Sequence, residues 1–232
     1  MTNSPEIGVS TLTLDRVSVR VDDRVVLQDI SIELTAPTIA VIGANGSGKS
    51  TFARLLNGLV VPSEGAVSVH GVDTVRGRSE VRRRVGFVFT NPDAQILMPT
   101  PAEDLALSLR GRPKREAAER VRDALELHGL GAHADVPASS LSGGQKQLLA
   151  LASVLITAPQ LIVADEPTTL LDLRNSRRIG DLLLSQAAQV VVVTHDLDLA
   201  ARCETAVLFH DGRIIASGEP SGVIETYRRA CA

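Results

Sequence analysis

The stretch Ile39-Ala40-Val41-Ile42-Gly43-Ala44-Asn45-Gly46-Ser47-Gly48-Lys49-Ser50-Thr51 decides the fold of this chain. A short, wholly apolar run reads as a strand buried on both faces of a parallel sheet. It leads directly into G-x-x-x-x-G-K-[ST], residues 43–50, and then into a helix expected over residues 49–57. The glycines let the backbone wrap around phosphate groups with its N–H groups pointing inward. Lys49 is expected to reach the β and γ phosphates and the Ser50 hydroxyl to ligate Mg²⁺. The helix N-terminus adds partial positive charge. Gly43, Ala44, Asn45, Gly46, Ser47, Gly48, Lys49, Ser50 and Thr51 together form the expected nucleotide-phosphate cradle.

Composition supports the choice of Lys in that loop. Lys occurs only at Lys49, Lys114 and Lys146, and every other fixed cation is Arg. A compact ammonium on a flexible stem enters between phosphates better than a planar guanidinium. The 232 residues suit one α/β unit with an inserted or appended subdomain. Net charge is −3, which argues against bulk electrostatic affinity for nucleic acid. Cys203 and Cys231 are too few for a disulfide framework and read as reduced thiols of a cytosolic protein. Residues 1–10 show neither a basic nor an apolar leader region. No apolar run approaches the ~18 residues of a membrane span, so any span must come from another subunit.

Outward from the glycine loop, residues 11–21 alternate apolar and polar side chains, as in a half-buried antiparallel strand. Asp22-Asp23 marks a turn before a second strand at 25–34. Further strands are expected at 67–70, 85–89, 161–164, 190–193, 206–209 and 213–217. Between the early and late strands the character changes. Residues 91–101 are rich in Pro, and helices are expected at 102–109, 115–128 and 145–156. The second of these puts Val121, Leu125 and His128 along one face. Residues 91–158 form the candidate helical subdomain.

Leu161-Ile162-Val163-Ala164-Asp165-Glu166-Pro167 is an apolar strand ending in two acids. Asp165 is positioned to hold Mg²⁺ through water. His195 follows another apolar strand, and a His at the end of a parallel strand faces the ligand crevice. Asp196 is expected to cap the next helix. His70, His128, His133 and His210 read as structural or surface residues. Leu141-Ser142-Gly143-Gly144-Gln145 puts a hydroxyl and two glycines at a helix start, a second phosphate-binding element. One nucleotide does not need two cradles from one chain.

This LSGGQ pentapeptide, with the glycine loop and the strand ending Asp165-Glu166, resembles the ATP-binding cassette (ABC) ATPases. The resemblance covers nearly the whole chain. It implies a P-loop, RecA-like α/β core with an N-terminal antiparallel β-subdomain and an inserted helical subdomain. It also implies ATP and Mg²⁺ as cofactors. Glu166 then matches the general base and His195 the residue that contacts the γ-phosphate. Ser142, Gly143, Gly144 and Gln145 of one copy would close on ATP held by the other copy's glycine loop. Thr168 to Asp172 resembles the loop that crosses that interface. An ATP-bound dimer follows, with a homodimer favoured because the signature, Glu166 and His195 are all intact here.

Two departures stand out. The family carries an aromatic on an early strand that stacks on adenine, and the matching residue here is Val21. The family also carries a Gln at the junction into the helical subdomain, and the matching residue here is Thr90. The Thr90 hydroxyl has a shorter reach than a Gln amide but could still bond a Mg²⁺-bound water. Gln95 could substitute, although it fits better in the N-P-D-x-Q element that follows.

Phe89-Thr90-Asn91-Pro92-Asp93-Ala94-Gln95, Pro99-Thr100-Pro101 and Glu103-Asp104 look like the ATPases of energy-coupling-factor (ECF) importers, peripheral on the cytoplasmic membrane face. Thr90, the TTLLDLRN run from Thr168 to Asn175 and the chain length look like the biotin-importing branch. Importers of cobalt, nickel or another vitamin remain open, as does a soluble ABC ATPase without a transport role. The implied partners are a second ATPase copy, a transmembrane coupling subunit and a substrate-binding membrane subunit. Ile96, Leu97 and Met98 would either face the coupling subunit or pack inside the helical subdomain.

Overall fold

The computed structural model describes residues 10–230. The readings on residues 1–9 and on Cys231 lie outside the described residues. Two sheets organise the chain. The first is four-stranded, in the order β2-β1-β4-β5, and wholly antiparallel: β1 (Leu12–Val21), β2 (Arg24–Leu34), β4 (Glu64–Val69) and β5 (Val72–Asp73). The β1–β2 turn passes through Asp22, whose φ of 52° is the left-handed conformation that Asp tolerates better than most residues.

The second sheet is six-stranded. It comprises β3 (Thr38–Gly43), β6 (Val85–Val88), β7 (Leu161–Asp165), β8 (Gln189–Val193), β9 (Thr205–His210) and β10 (Arg213–Gly218), in the order β10-β9-β3-β8-β7-β6. All neighbours are parallel except β10, which turns back on β9. The glycine-loop strand β3 therefore sits inside the sheet, flanked by β8 and β9. Its carboxyl end, like those of β7 and β8, opens on one edge, where ligands of parallel α/β sheets collect.

Strand alternation distributes the core. Ile39, Val41, Leu161, Val163, Val191 and Val193 face the antiparallel sheet and α1 (Lys49–Leu56), where Phe52 tilts against Phe209 at 5.2 Å between ring centroids. On the other face, Ala40, Ile42 and Leu208 meet Val223 and Ile224 of α8 (Pro220–Ala230). Ile162, Ala164, Val190 and Val192 meet α5 (Gly143–Leu155) and α6 (Leu173–Leu184). A buried Leu there contributes about 1.5–3 kcal/mol.

Residues 91–158 hold α3 (Pro101–Ser108), α4 (Lys114–Leu127), α5 and three single 3₁₀ turns. Thr100 caps α3 by accepting from the Glu103 N–H, and Pro101 occupies the first turn, where its missing donor costs nothing. Val121, Leu125 and His128 are all buried, as the helical spacing requires. Leu105, Leu125, Leu149 and Leu151 share one apolar cluster with β7 and β8. Among the described residues no helix is long and apolar enough to cross a membrane.

Most boundaries shift by a residue or so and β4 begins at Glu64 rather than 67, and two of the shifts have a local cause. The helix expected from 145 starts at Gly143, because Ser142 and Gln145 form a capping box that holds two glycines in the first turn. The strand expected over 85–89 ends at Val88. The Phe89 N–H donates to Gln95 Oε1 at 3.1 Å, which takes the chain out of the sheet.

Candidate functional site

The glycine loop bridges β3 and α1. Gly48 precedes α1 with φ 102°, and a Cβ there would lie 2.5 Å from Leu27 Cδ2 and 3.0 Å from the Val26 carbonyl. Gly46, with φ 80°, has no atom within 4 Å of such a Cβ and faces open space. The loop bends on the Ser47 N–H, which donates to the Ala44 carbonyl at 3.2 Å. A concave pocket of about 230 Å³ is lined by Val26, Asn45, Gly46, Gly48, Lys49, Ser50, Thr51 and Glu166.

Lys49 is buried and folds back on the loop, donating from Nζ to the carbonyls of Gly43 at 2.7 Å and Ala44 at 2.9 Å. Burial lowers its pKa from the ordinary lysine value, opposed by the negative charges of Glu166 and Asp165. The Ser50 hydroxyl donates to Asp165 Oδ1 at 2.9 Å across 115 positions of sequence. Asp165 lies at the buried end of β7. Desolvation raises its pKa, while the Ser50 hydrogen bond and the Arg54 charge act the other way.

Glu166 follows with φ 53°, left-handed for a residue that has a Cβ. Such conformations persist where surroundings over-determine them, often at functional sites. Its N–H donates to the Val193 carbonyl at 2.9 Å. Its Oε2 accepts from Thr169 Oγ1 at 3.2 Å and lies 2.7 Å from His195 Nδ1. The His195 side chain is 59% exposed. Asp196 caps α7 (Leu197–Ala200) by accepting from the N–H groups of Asp198 and Leu199, and so fixes the turn that carries His195. Lys49, Ser50, Asp165, Glu166 and His195 are thus gathered on one edge of the sheet.

The residues suit a nucleotide with a hard divalent cation. Ser50 and Asp165 carry oxygens of the kind Mg²⁺ prefers, and waters and phosphate oxygens would complete such an ion's shell. Among the described residues no group of three or more His, Cys, Asp or Glu could hold a metal by itself. The Ser47 Oγ is buried without a hydrogen-bond partner in the glycine loop.

Residues 142–145 lie elsewhere. Ser142 Oγ accepts from the Gln145 N–H at 3.3 Å, and the Ser142 N–H donates to Gln145 Oε1 at 2.8 Å. Gly143 is open, whereas a Cβ on Gly144 would lie 2.8 Å from Asn175 Cγ. None of these four lines the pocket of the same chain's glycine loop. Asp172 caps α6 by accepting from the Asn175 N–H at 2.8 Å.

At the departures, Val21 is 54% exposed at the end of β1, an apolar side chain facing water. The Thr90 hydroxyl donates to the Asp165 carbonyl at 2.8 Å, which commits its proton and leaves its oxygen as an acceptor. Gln95 is held by α5, donating from Nε2 to the Ala150 carbonyl at 2.8 Å, and does not stand in for the family Gln. Sequence reading missed three contacts: Thr169 on Glu166, His133 Nε2 at 3.0 Å from Gln145 Nε2, and the Lys146–Asp93 pair at 2.7 Å. No local pattern signals them, since each joins segments by tertiary packing or turn geometry. His70 bonds Gln189 at 2.9 Å, and buried His128 has its pKa lowered by desolvation and by Arg178. Buried Cys203 has its thiol pushed up to about 11 by desolvation.

The family profile described as "ABC transporter" matches residues 27–169. The Biotin transport ATP-binding protein BioM of Rhizobium etli is 42% identical over 211 residues, covering 90% of this chain and 94% of the relative. The Energy-coupling factor transporter ATP-binding protein EcfA1 of Lactiplantibacillus plantarum is 37% identical over 230 residues, covering 96% and 82%. Among solved structures, cbiO1 from Clostridium perfringens, described as part of the ABC transporter complex cbiONQ, superposes with a TM-score of 0.83. It is 28% identical, and the match covers 95% of this chain and 93% of that one.

Proposed function

The chain belongs to the ABC transporter family as an ATP-hydrolysing, ATP-binding subunit of ECF type, and on that premise we propose how its residues act and what it imports. The observation that carries the reading is the convergence of Ser50, Asp165, Glu166 and His195, with Ser50–Asp165 at 2.9 Å and Glu166–His195 at 2.7 Å.

Lys49 exchanges the Gly43 and Ala44 carbonyls for the β and γ phosphates. Desolvation already disfavours its isolated charge, so an anionic partner is well received. Ser50, and Asp165 through water, would hold Mg²⁺, which supplies charge neutralisation on the phosphates. Glu166 takes the proton of the attacking water, and His195 holds that carboxylate and reaches the γ-phosphate. The open N-terminal turn of α5, with Ser142, Gly143, Gly144 and Gln145, completes the site of a second copy. Two copies then share two nucleotides, and hydrolysis lets them part.

The transported solute is biotin in this reading, supported by the name of the Rhizobium etli relative. The ATPase sits peripherally on the membrane, bound to a transmembrane coupling subunit that works with a substrate-binding membrane subunit. Leu97, 71% exposed, borders a groove of about 400 Å³ lined by Ile96, Met98, Pro99 and Ala138 on its apolar side and by Asp93, Ser139 and Lys146 on its polar side, which fits an amphipathic partner helix. Ile96 also packs on the helical core, so the coupling-subunit reading rests on Leu97 and Met98. The test is uptake of labelled biotin by cells co-expressing the chain with its membrane subunits. Uptake lost in Lys49→Ala supports the reading. Uptake of a different vitamin or of a divalent metal, with none of biotin, overturns the solute.

A further inference from the structure

The peptide bond joining Asp165 to Glu166 is held at both of its polar ends. Its N–H, on Glu166, donates to the Val193 carbonyl of β8 at 2.9 Å. Its C=O, on Asp165, accepts from Thr90 Oγ1 at 2.8 Å. The β6–β7 register ends at Val88↔Ala164, and beyond it the main chain of Phe89 turns to Gln95. A side-chain hydroxyl therefore engages the carbonyl just past the last paired residues. Glu166 emerges from that peptide in the left-handed conformation, which an L-residue leaves readily unless its flanking peptide is fixed.

Thr90 also heads the segment that reaches α5. Asp93 pairs with Lys146 Nζ at 2.7 Å, and Gln95 donates to the Ala150 carbonyl. Lys146 is the residue after Gln145. One short segment thus grips the Asp165–Glu166 peptide at its start and the helix of the LSGGQ turn a few residues later.

We propose that Thr90 is a positioning residue for hydrolysis: its hydroxyl fixes the Asp165–Glu166 peptide and so aims the Glu166 carboxylate. The inference rests on the reading of Glu166 as the base. It gives Thr90 a role other than an attenuated copy of the family Gln.

The experiment compares Thr90→Val, which keeps shape and loses the donor, with Thr90→Ser, which keeps the donor. Steady-state ATPase of the complex and binding of a fluorescent ATP analogue to the full chain are measured for each. Hydrogen exchange at the Glu166 amide is followed in the nucleotide-free chain. Thr90→Val is expected to lower kcat about tenfold, ~1.4 kcal/mol in barrier, with nucleotide Kd within about twofold. Its Glu166 amide exchanges faster, and Thr90→Ser restores both properties. Thr90→Val with kcat and exchange within about twofold of wild type overturns the proposal, as does a Ser variant as impaired as Val. A separate Glu166→Gln control distinguishes the two ideas: if it still hydrolyses ATP, the base assignment fails whatever Thr90 does.

Discussion

Gly48→Ala and Gly46→Ala are one methyl each, two positions apart, yet the structure predicts opposite kinds of damage. At Gly48 the φ of 102° is unfavourable for any L-residue, and the new Cβ meets Leu27 Cδ2 at 2.5 Å and the Val26 carbonyl at 3.0 Å. Backbone strain costs about 1–3 kcal/mol. Overpacking costs a further ~1–3 kcal/mol, since Leu27 can shift but the Val26 main chain, in β2, resists. A total of about 4 kcal/mol lowers the melting temperature of a chain this size by roughly 8–16 °C, at about 2–4 °C per kcal/mol. At Gly46 only the backbone term applies, ~1–2 kcal/mol, so the melting temperature falls by no more than about 8 °C. Its methyl projects instead into the space where phosphates are expected. Differential scanning fluorimetry without nucleotide, followed by ATP titration, separates the two. Gly48→Ala is expected to melt lower than Gly46→Ala, and Gly46→Ala to lose no more than about 8 °C but to bind ATP at least tenfold more weakly. The reverse pattern, or equal melting losses, would refute the assignment of Gly46 to the ligand side and Gly48 to the packing side.

Three further outcomes follow from named contacts. With Val21 in place of a stacking ring, which in nucleic-acid complexes is worth ~1–3 kcal/mol per base, GTP competes with ATP within about tenfold; a preference above a hundredfold means another residue reads the base. Lys49→Ala removes the point charge from the phosphate cradle and abolishes nucleotide binding or turnover, and undiminished ATPase in the purified complex sinks that role. In a Cys231→Ser background, alkylation of Cys203 stays slow at pH 8 and accelerates only as pH approaches about 11, because only the thiolate reacts and burial disfavours it; rapid labelling at pH 8 contradicts the burial.

The parts of the site legible in sequence are those whose chemistry is local. A phosphate cradle needs glycines, Lys and Ser within eight residues, so residues 43–50 disclose it without a fold. The strand ending in Asp165 and Glu166 is legible for a similar reason, as a short apolar run closing on acids. Thr90 was not legible in this sense. Its substitution for Gln was visible, but its bond to Asp165 exists only because β6 and β7 are neighbours, 75 positions apart. The capping box of α5 was in plain view at Ser142 and Gln145, yet two glycines in the first turn argue locally against a helix, and the cap outweighs them. Lys49 folding onto its own loop is likewise set by burial in three dimensions.

The central claim is that two copies of this chain enclose ATP and that Glu166 then hydrolyses it. Sedimentation of Glu166→Gln in ATP and Mg²⁺, beside wild type, tests it directly. The amide keeps the shape of Glu166 but cannot accept the proton of water, so the variant is expected to bind ATP, fail to hydrolyse it and sediment with the mass of two chains. Wild type returns to the mass of one chain as its ATP is consumed. A variant that binds ATP and remains a single chain, while wild type dimerises transiently under the same conditions, would contradict the account.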